Sequence, residues 1–216
     1  MNAIVDNTNP VESQEIELIH MFEVSAHYWN ALTLFVNTKD IRYQLCGVNI
    51  SKRHLTATNG HVLLSIEHGH DFGDFLPEHG ITVEPFKAGT KRVNGADPIV
   101  TFTISEPGGE HYGKVSVTCT ATPGVTQSLE VKMQNFPNWE RVIPQYSEND
   151  NFAHTNHIDA KYMELIGKTG ALLQKAEGRK NLGVNIRGKE NSAMLATFDG
   201  LPGVRAVVMP VRSSAK

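Results

Sequence analysis

Only two cysteines occur in 216 residues. Cys46 and Cys119 lie far apart on segments that read as strands, which excludes a disulfide framework and a four-ligand metal spacing. Buried free thiols are the expectation. Long hydrophobic runs are missing too. No window approaches the roughly 18 consecutive apolar residues of a membrane-crossing helix, and no basic stretch followed by an apolar core opens the chain as a secretion signal would. A soluble cytoplasmic protein with no membrane partner is expected. Neither charge is in large excess: 20 Lys and Arg against 23 Asp and Glu give a net charge of −3, with a pI near 6.4. That argues against tight wrapping of nucleic acid by the whole surface, while a locally basic face stays open.

Signatures of chemistry are also lacking. Gly108, Gly109 and Gly113 fall in a hairpin with no helix after it, and the Lys-Ser/Thr ending of a phosphate-binding loop is absent, so no nucleotide cofactor is expected. No serine stands in a G-x-S-x-G elbow, and neither cysteine has the surroundings of an activated thiolate. The expectation is a non-enzyme with no catalytic residues, cofactor or metal.

What is present is an ordinary apolar fraction of 40%, enough for a real core. Residues 1–19 are polar and aperiodic and read as a flexible tail or a late-added strand. Beyond them one pattern recurs three times: a short strand, a helix and a set of strands. The first unit has a strand at 21–24, a helix placing Trp29, Leu32 and Val36 on one face, and strands at 43–50, 54–58 and 62–66, with Asn59 and Gly60 as a turn. The second has a strand at 80–84, a short helical candidate at 85–93, and strands at 99–105, 114–120 and 128–133. A linker of turn formers at 144–151 leads to the third. There residues 152–157 read as a strand, and Asp159 caps a helix carrying Met163, Ile166 and Leu173 inward. Strands at 182–187, 193–198 and 204–211 follow. The fold class is α+β, with helices on one face of antiparallel sheets.

Glu67, His68, His70, Asp71, Asp74, Glu78 and His79 could supply nitrogen and carboxylate ligands. No helical spacing fixes two of them on one side, so a solvated loop is the preferred reading, ahead of a metal-dependent hydrolase. His154 and His157 make a weaker pair. Bases gather at the second and third helices: Lys87, Lys91 and Arg92, then Lys161, Lys168, Lys175, Arg179 and Lys180. Lys87, Lys91, Arg92, Lys161, Lys168 and Lys175 are candidate DNA contacts, set against a merely solvated helix face. Lys39 is the only base near the first helix.

Three separated motifs carry a resemblance: DIRYQLCG at 40–47 with LTATNGHVL at 55–63, FPNWERVIP at 136–144, and VVMPVR at 207–212. In this order they resemble the bacterial DNA polymerase III β subunit, the sliding clamp. The resemblance implies three similar domains per protomer, closed head to tail into a ring around DNA with helices lining the hole. Residues 20–145 resemble the family's middle domain, and 151–216 the second half of its last domain. Its first domain and half of its third have no counterpart here.

The resemblance also implies a cleft that takes a short clamp-binding peptide of a DNA polymerase or repair protein. Its matching positions are Arg42, Leu45, Thr58, Gly60, His61, Leu63, Pro137, Arg141, Val142, Val207, Val208, Met209, Pro210, Val211 and Arg212. The apolar members suit an anchor pocket and the polar ones can orient a backbone; each alone could equally be core packing. Val62 stands where the family has a basic residue, and Ser213 to Lys216 extend past the last motif and could reach over the pocket. The expected function is a shortened, homo-oligomeric clamp that holds a polymerase at double-stranded DNA during replication. The alternative is an adaptor that captures such peptides without forming a ring.

Overall fold

The computed structural model describes residues 19–105, 115–132, 135–146 and 157–211. Strict alternation builds its smaller sheet. β1 (Ile19–Ser25) buries Phe22 and Val24 and turns Ile19, Met21 and Glu23 outward, as a period of two requires of a sheet wet on one face. Chain order continues with helix α1 (Ala26–Thr33), a 3-10 turn at Tyr43–Leu45, β2 (Val48–Ile50), β3 (His54–Thr58), β4 (Val62–Glu67) and β5 (Ile81–Val83). Next come β6 (Ile99–Ser105), β7 (Val115–Cys119), β8 (Thr126–Leu129) and β9 (Val131–Lys132). A 3-10 turn at Trp139–Val142, helix α2 (Ala160–Ala176), β10 (Val184–Arg187), β11 (Met194–Phe198) and β12 (Leu201–Val208) complete the described elements.

Two antiparallel sheets result, a four-stranded one in the order β1-β6-β7-β8 and an eight-stranded one in the order β10-β11-β12-β4-β3-β2-β5-β9. In the first, Phe22 pairs with Phe102 across β1 and β6, and their rings stack with centroids 4.9 Å apart. In the second, β2 and β5 are buried at every position and β3 and β4 at all but one end residue. Both faces at the centre are therefore covered, which explains continuous apolar runs such as Val62 to Leu64. β12 lies beside β4 with Val207 opposite Leu63 and Val208 opposite Val62. This register welds the last described strand to the β3–β4 hairpin.

Each helix has a side-chain cap of the expected kind. Ser25 accepts from the amide of His27, and Asp159 from that of Lys161, satisfying donors that a helix start leaves unpaired. The helices pack against each other, and Tyr28 Oη donates to Glu177 at the end of α2. α2 buries Tyr162, Ile166, Thr169, Gly170 and Leu173, one stripe at helical spacing.

Several expectations are corrected. The expected strand at 43–50 opens as a 3-10 turn and begins only at Val48, so Cys46 does not lie on a strand, and α1 ends at Thr33, short of Val36. No helix forms at 85–93. Phe86 and Ala88 are instead tied to α1: Trp29 Nε1 donates to Phe86 O at 2.8 Å, and the Asn30 amide both donates to Ala88 O and accepts from Ala88 N, each at 2.9 Å. The side chains of α1 occupy the backbone groups that a local helix would have used. Met163 faces solvent, 39% exposed, while Ile158 packs on the main core. The expected strand at 128–133 divides, β8 joining the small sheet and β9 the large one. Residues 1–18, 106–114, 133–134, 147–156 and 212–216 lie outside the described residues, and with them most of the tail and linker, Gly108, Gly109 and Gly113, all but the last residue of the expected strand at 152–157, His154 and Arg212.

Candidate functional site

The main core runs between the sheets and under the helices, but a second apolar cluster stands apart. Leu45, Leu63, Phe136, Trp139, Ile143 and Val207 form it, with Ala193 and Leu195 packed against it. Its members come from the turn after α1, from β4, from the 136–143 segment and from β12. Strand alternation explains the split: Val207 enters this cluster, while Val208, one residue on, enters the main core.

Polar contacts lock the surrounding loops. Arg42 wraps Asp40, its backbone N and Nε donating to Oδ1 at 2.9 Å and Nη2 to Oδ2 at 2.8 Å. The side-chain and then the backbone hydrogen bonds from Arg42 hold the Asp40 carboxyl down at about 2. Arg42 Nη2 also donates to Asn59 O at 3.1 Å, tying this loop to the tip of the β3–β4 hairpin. At that tip Asn59 Oδ1 accepts from the amides of His61 and Val62, and Thr58 Oγ1 accepts from Gly60 N while donating to Val62 O. Gly60 has a φ of +86°, and a Cβ there would lie 2.7 Å from both terminal nitrogens of Arg42. Only glycine allows both the turn and the close approach of the guanidinium. Beyond β12, Met209 N donates to His61 O at 2.9 Å.

A cavity of about 200 Å³ opens above the second cluster. Ten of the positions expected in a cleft line it: Arg42, Leu45, Thr58, Gly60, His61, Leu63, Pro137, Val142, Val207 and Met209. Arg141, Val208, Pro210 and Val211 do not line it. Val208 faces the main core, and Arg141 and Val211 are exposed. Four lining residues are not among the expected cleft positions: Val62, Phe136, Asn138 and Trp139. The last three sit within the 136–144 motif, so its apolar residues were the available signal. Two large apolar side chains stand exposed on either side of Arg42, Ile41 at 89% and Tyr43 at 67%.

The other candidate groups resolve differently. His68 uses both ring nitrogens, Nε2 lying 3.1 Å from Ser51 O and Nδ1 accepting from His70 N at 3.2 Å. Its ring and that of His70 pack against Phe22 and Phe72, and burial pushes the His68 pKa down. These histidines are packing members of the β4–β5 connection. Among the described residues no group of three or more His, Cys, Asp or Glu side chains could hold a metal ion.

Lys87, Lys91 and Arg92 lie on the non-helical segment, where Arg92 pairs with Asp97 at 2.8 Å. α1 carries no base. On α2, Lys161 pairs with its own cap Asp159 at 3.0 Å and Lys168 with Glu164 at 2.8 Å. Lys175 occupies the last turn. Among the described residues no helix is long and apolar enough to cross a membrane.

No family model matches the sequence, and no curated protein matches it. Solved structures do match. The DNA polymerase sliding clamp of Caulobacter crescentus superposes with a TM-score of 0.60 at 17% identity, over 94% of this chain and 68% of that one. The sliding clamp (DNA polymerase III subunit beta) of Bartonella birtlesii, bound to griselimycin, gives 0.61 at 17% identity over 96% and 70%. DNA polymerase III subunit beta of Borrelia burgdorferi, in complex with a natural product, gives 0.60 at 11% identity over 90% and 64%. This chain has the sliding-clamp fold. It spans about two thirds of each of those clamps. In this sliding-clamp fold the 200 Å³ cavity marks the place where the three sequence motifs converge.

Proposed function

We propose that the chain is a clamp-like protein that binds a short peptide of a DNA polymerase or repair protein in this cleft and tethers the partner at DNA during replication. The observation that supports the reading is the cavity itself. Three motifs distant in sequence contribute Leu45, Leu63, Pro137, Val142, Val207 and Met209 to one apolar concavity with Arg42, Thr58 and His61 at its edge. Such a mixture suits an apolar anchor with an oriented backbone. Tethering then acts by effective concentration, which needs neither catalysis nor base-reading contacts.

The same reading treats residues 20–145 as a middle-domain counterpart and 151–216 as half of a last domain, with several copies assembling around duplex DNA. Lys161, Lys168 and Lys175 on α2 are the proposed phosphate contacts, without sequence preference. Carboxylates beside the first two make that face only weakly attractive.

One Leu or Phe side chain buried in the cavity contributes about 1.5–3 kcal/mol, whereas micromolar affinity needs roughly 8 kcal/mol. Further contacts, such as those offered by exposed Ile41 and Tyr43, must supply the remainder. The test is fluorescence anisotropy with a labelled peptide carrying Leu and Phe anchors, against the same peptide with alanines at those positions. Saturable binding of the first, reduced at least about tenfold by the alanines and by Met209→Asp, is expected. Equal binding of both peptides would overturn the proposal.

A further inference from the structure

We propose that the cavity adjoining the cleft is a second binding site, for the positively charged flank of the same peptide. This rests on the peptide-binding reading of the apolar cavity and names what lies beyond its anchor. The adjoining cavity holds about 510 Å³ and shares Phe136, Pro137, Asn138 and Trp139 with the first. One short segment is thus the partition between them, and a chain leaving the apolar space across it meets the polar one. The partition is braced, since the Trp139 ring is nearly buried and meets the His54 ring edge-on with centroids 5.0 Å apart.

The opposite walls are the β2–β3 turn and the β4–β5 connection. They are fixed to each other: His68 N donates to Arg53 O at 3.0 Å, and His68 Nε2 lies 3.1 Å from Ser51 O. Charge decides the ligand class. Asp71, Asp74, Glu78 and Glu140 line this cavity together with Lys52 and Arg53. Lys52 is paired with Asp74 at 3.0 Å, which leaves three carboxylates against the single guanidinium of Arg53. Burial, and after it the charge of Arg205, keeps His54 from adding a positive charge at neutral pH. A concave site with net negative walls draws in Lys or Arg side chains and repels acidic ones.

The test uses three peptides with one apolar anchor: bare, extended by three lysines, and extended by three glutamates, each extension placed at either end in turn. Anisotropy titrations should show a lysine extension binding about fivefold or more tighter than the glutamate extension at the same end. High salt should remove the difference. The double variant Glu78→Gln with Glu140→Gln changes exposed side chains outside the apolar cavity, so it should bind the bare peptide as before and lose the preference. Equal affinities for the two extended peptides, or a preference that survives in the double variant, would overturn the proposal. Failure of the wild type to bind the bare peptide would overturn the cleft reading instead, and this inference with it.

Discussion

Asn30 joins α1 to a segment with no regular structure of its own, and its removal has a calculable cost. Its amide satisfies both the N–H and the C=O of Ala88 at 2.9 Å, and Ala88 is only 3% exposed. Asn30→Ala orphans both groups. An unsatisfied buried polar group costs about 1–3 kcal/mol, so the pair should cost about 2–4 kcal/mol after partial rescue by water. For a chain of this size each kcal/mol lowers Tm by roughly 2–4 °C, so a fall of about 5–15 °C is expected. Differential scanning fluorimetry and urea unfolding both read it. Asn30→Leu separates hydrogen bonding from packing, because it refills the volume without restoring either bond and should stay destabilised. A Tm for Asn30→Ala within about 2 °C of wild type, or recovery in Asn30→Leu, would refute the reasoning.

Gly60→Ala forces a side chain into a left-handed φ and against the Arg42 guanidinium; urea titration should show a loss of at least about 1–2 kcal/mol, with weaker peptide binding as Arg42 is displaced. Tyr28→Phe removes the bond to Glu177 that joins the two helices, and thermal unfolding should report a loss of about 0.5–1.5 kcal/mol. The pKa values of His27, His54 and His68 are all lowered from 6.5, with burial the largest cause in each. Below that value the unfolded chain binds more protons than the folded one, so their contribution is complete above pH 6.5 and is lost as pH falls beneath it. Tm should therefore drop between about pH 7 and pH 5.5; a flat profile there would contradict the burial of these rings.

Periodicity alone carried much of the fold. The alternation in β6 put its bounds at Ile99 and Ser105, and Asp159 was legible as a cap because it precedes an apolar stripe at helical spacing. The segment at 85–93 misled because its partners, Trp29 and Asn30, lie nearly 60 residues earlier, and a local pattern does not register a remote side chain that claims its backbone. Met163 misled because an apolar residue at the edge of an amphipathic stripe can face either way. Most of the cleft was legible only through the resemblance of three motifs, since no spacing announces that Leu63 and Val207 are neighbours across a sheet. Of the polar cavity beside it only one loop was legible, through Asp71, Asp74, Glu78 and His79, because its walls come from two loops and a 3-10 turn that meet only in three dimensions.

Where a peptide sits tests the central claim most directly. Methyl-labelled protein titrated with the Leu- and Phe-bearing peptide should show NMR shifts concentrated at Leu45, Leu63, Val142, Val207 and Met209, with the methyls of the main core, such as Leu55 and Ile104, unmoved. Shifts clustered on any other surface, or none at saturating peptide, would contradict it.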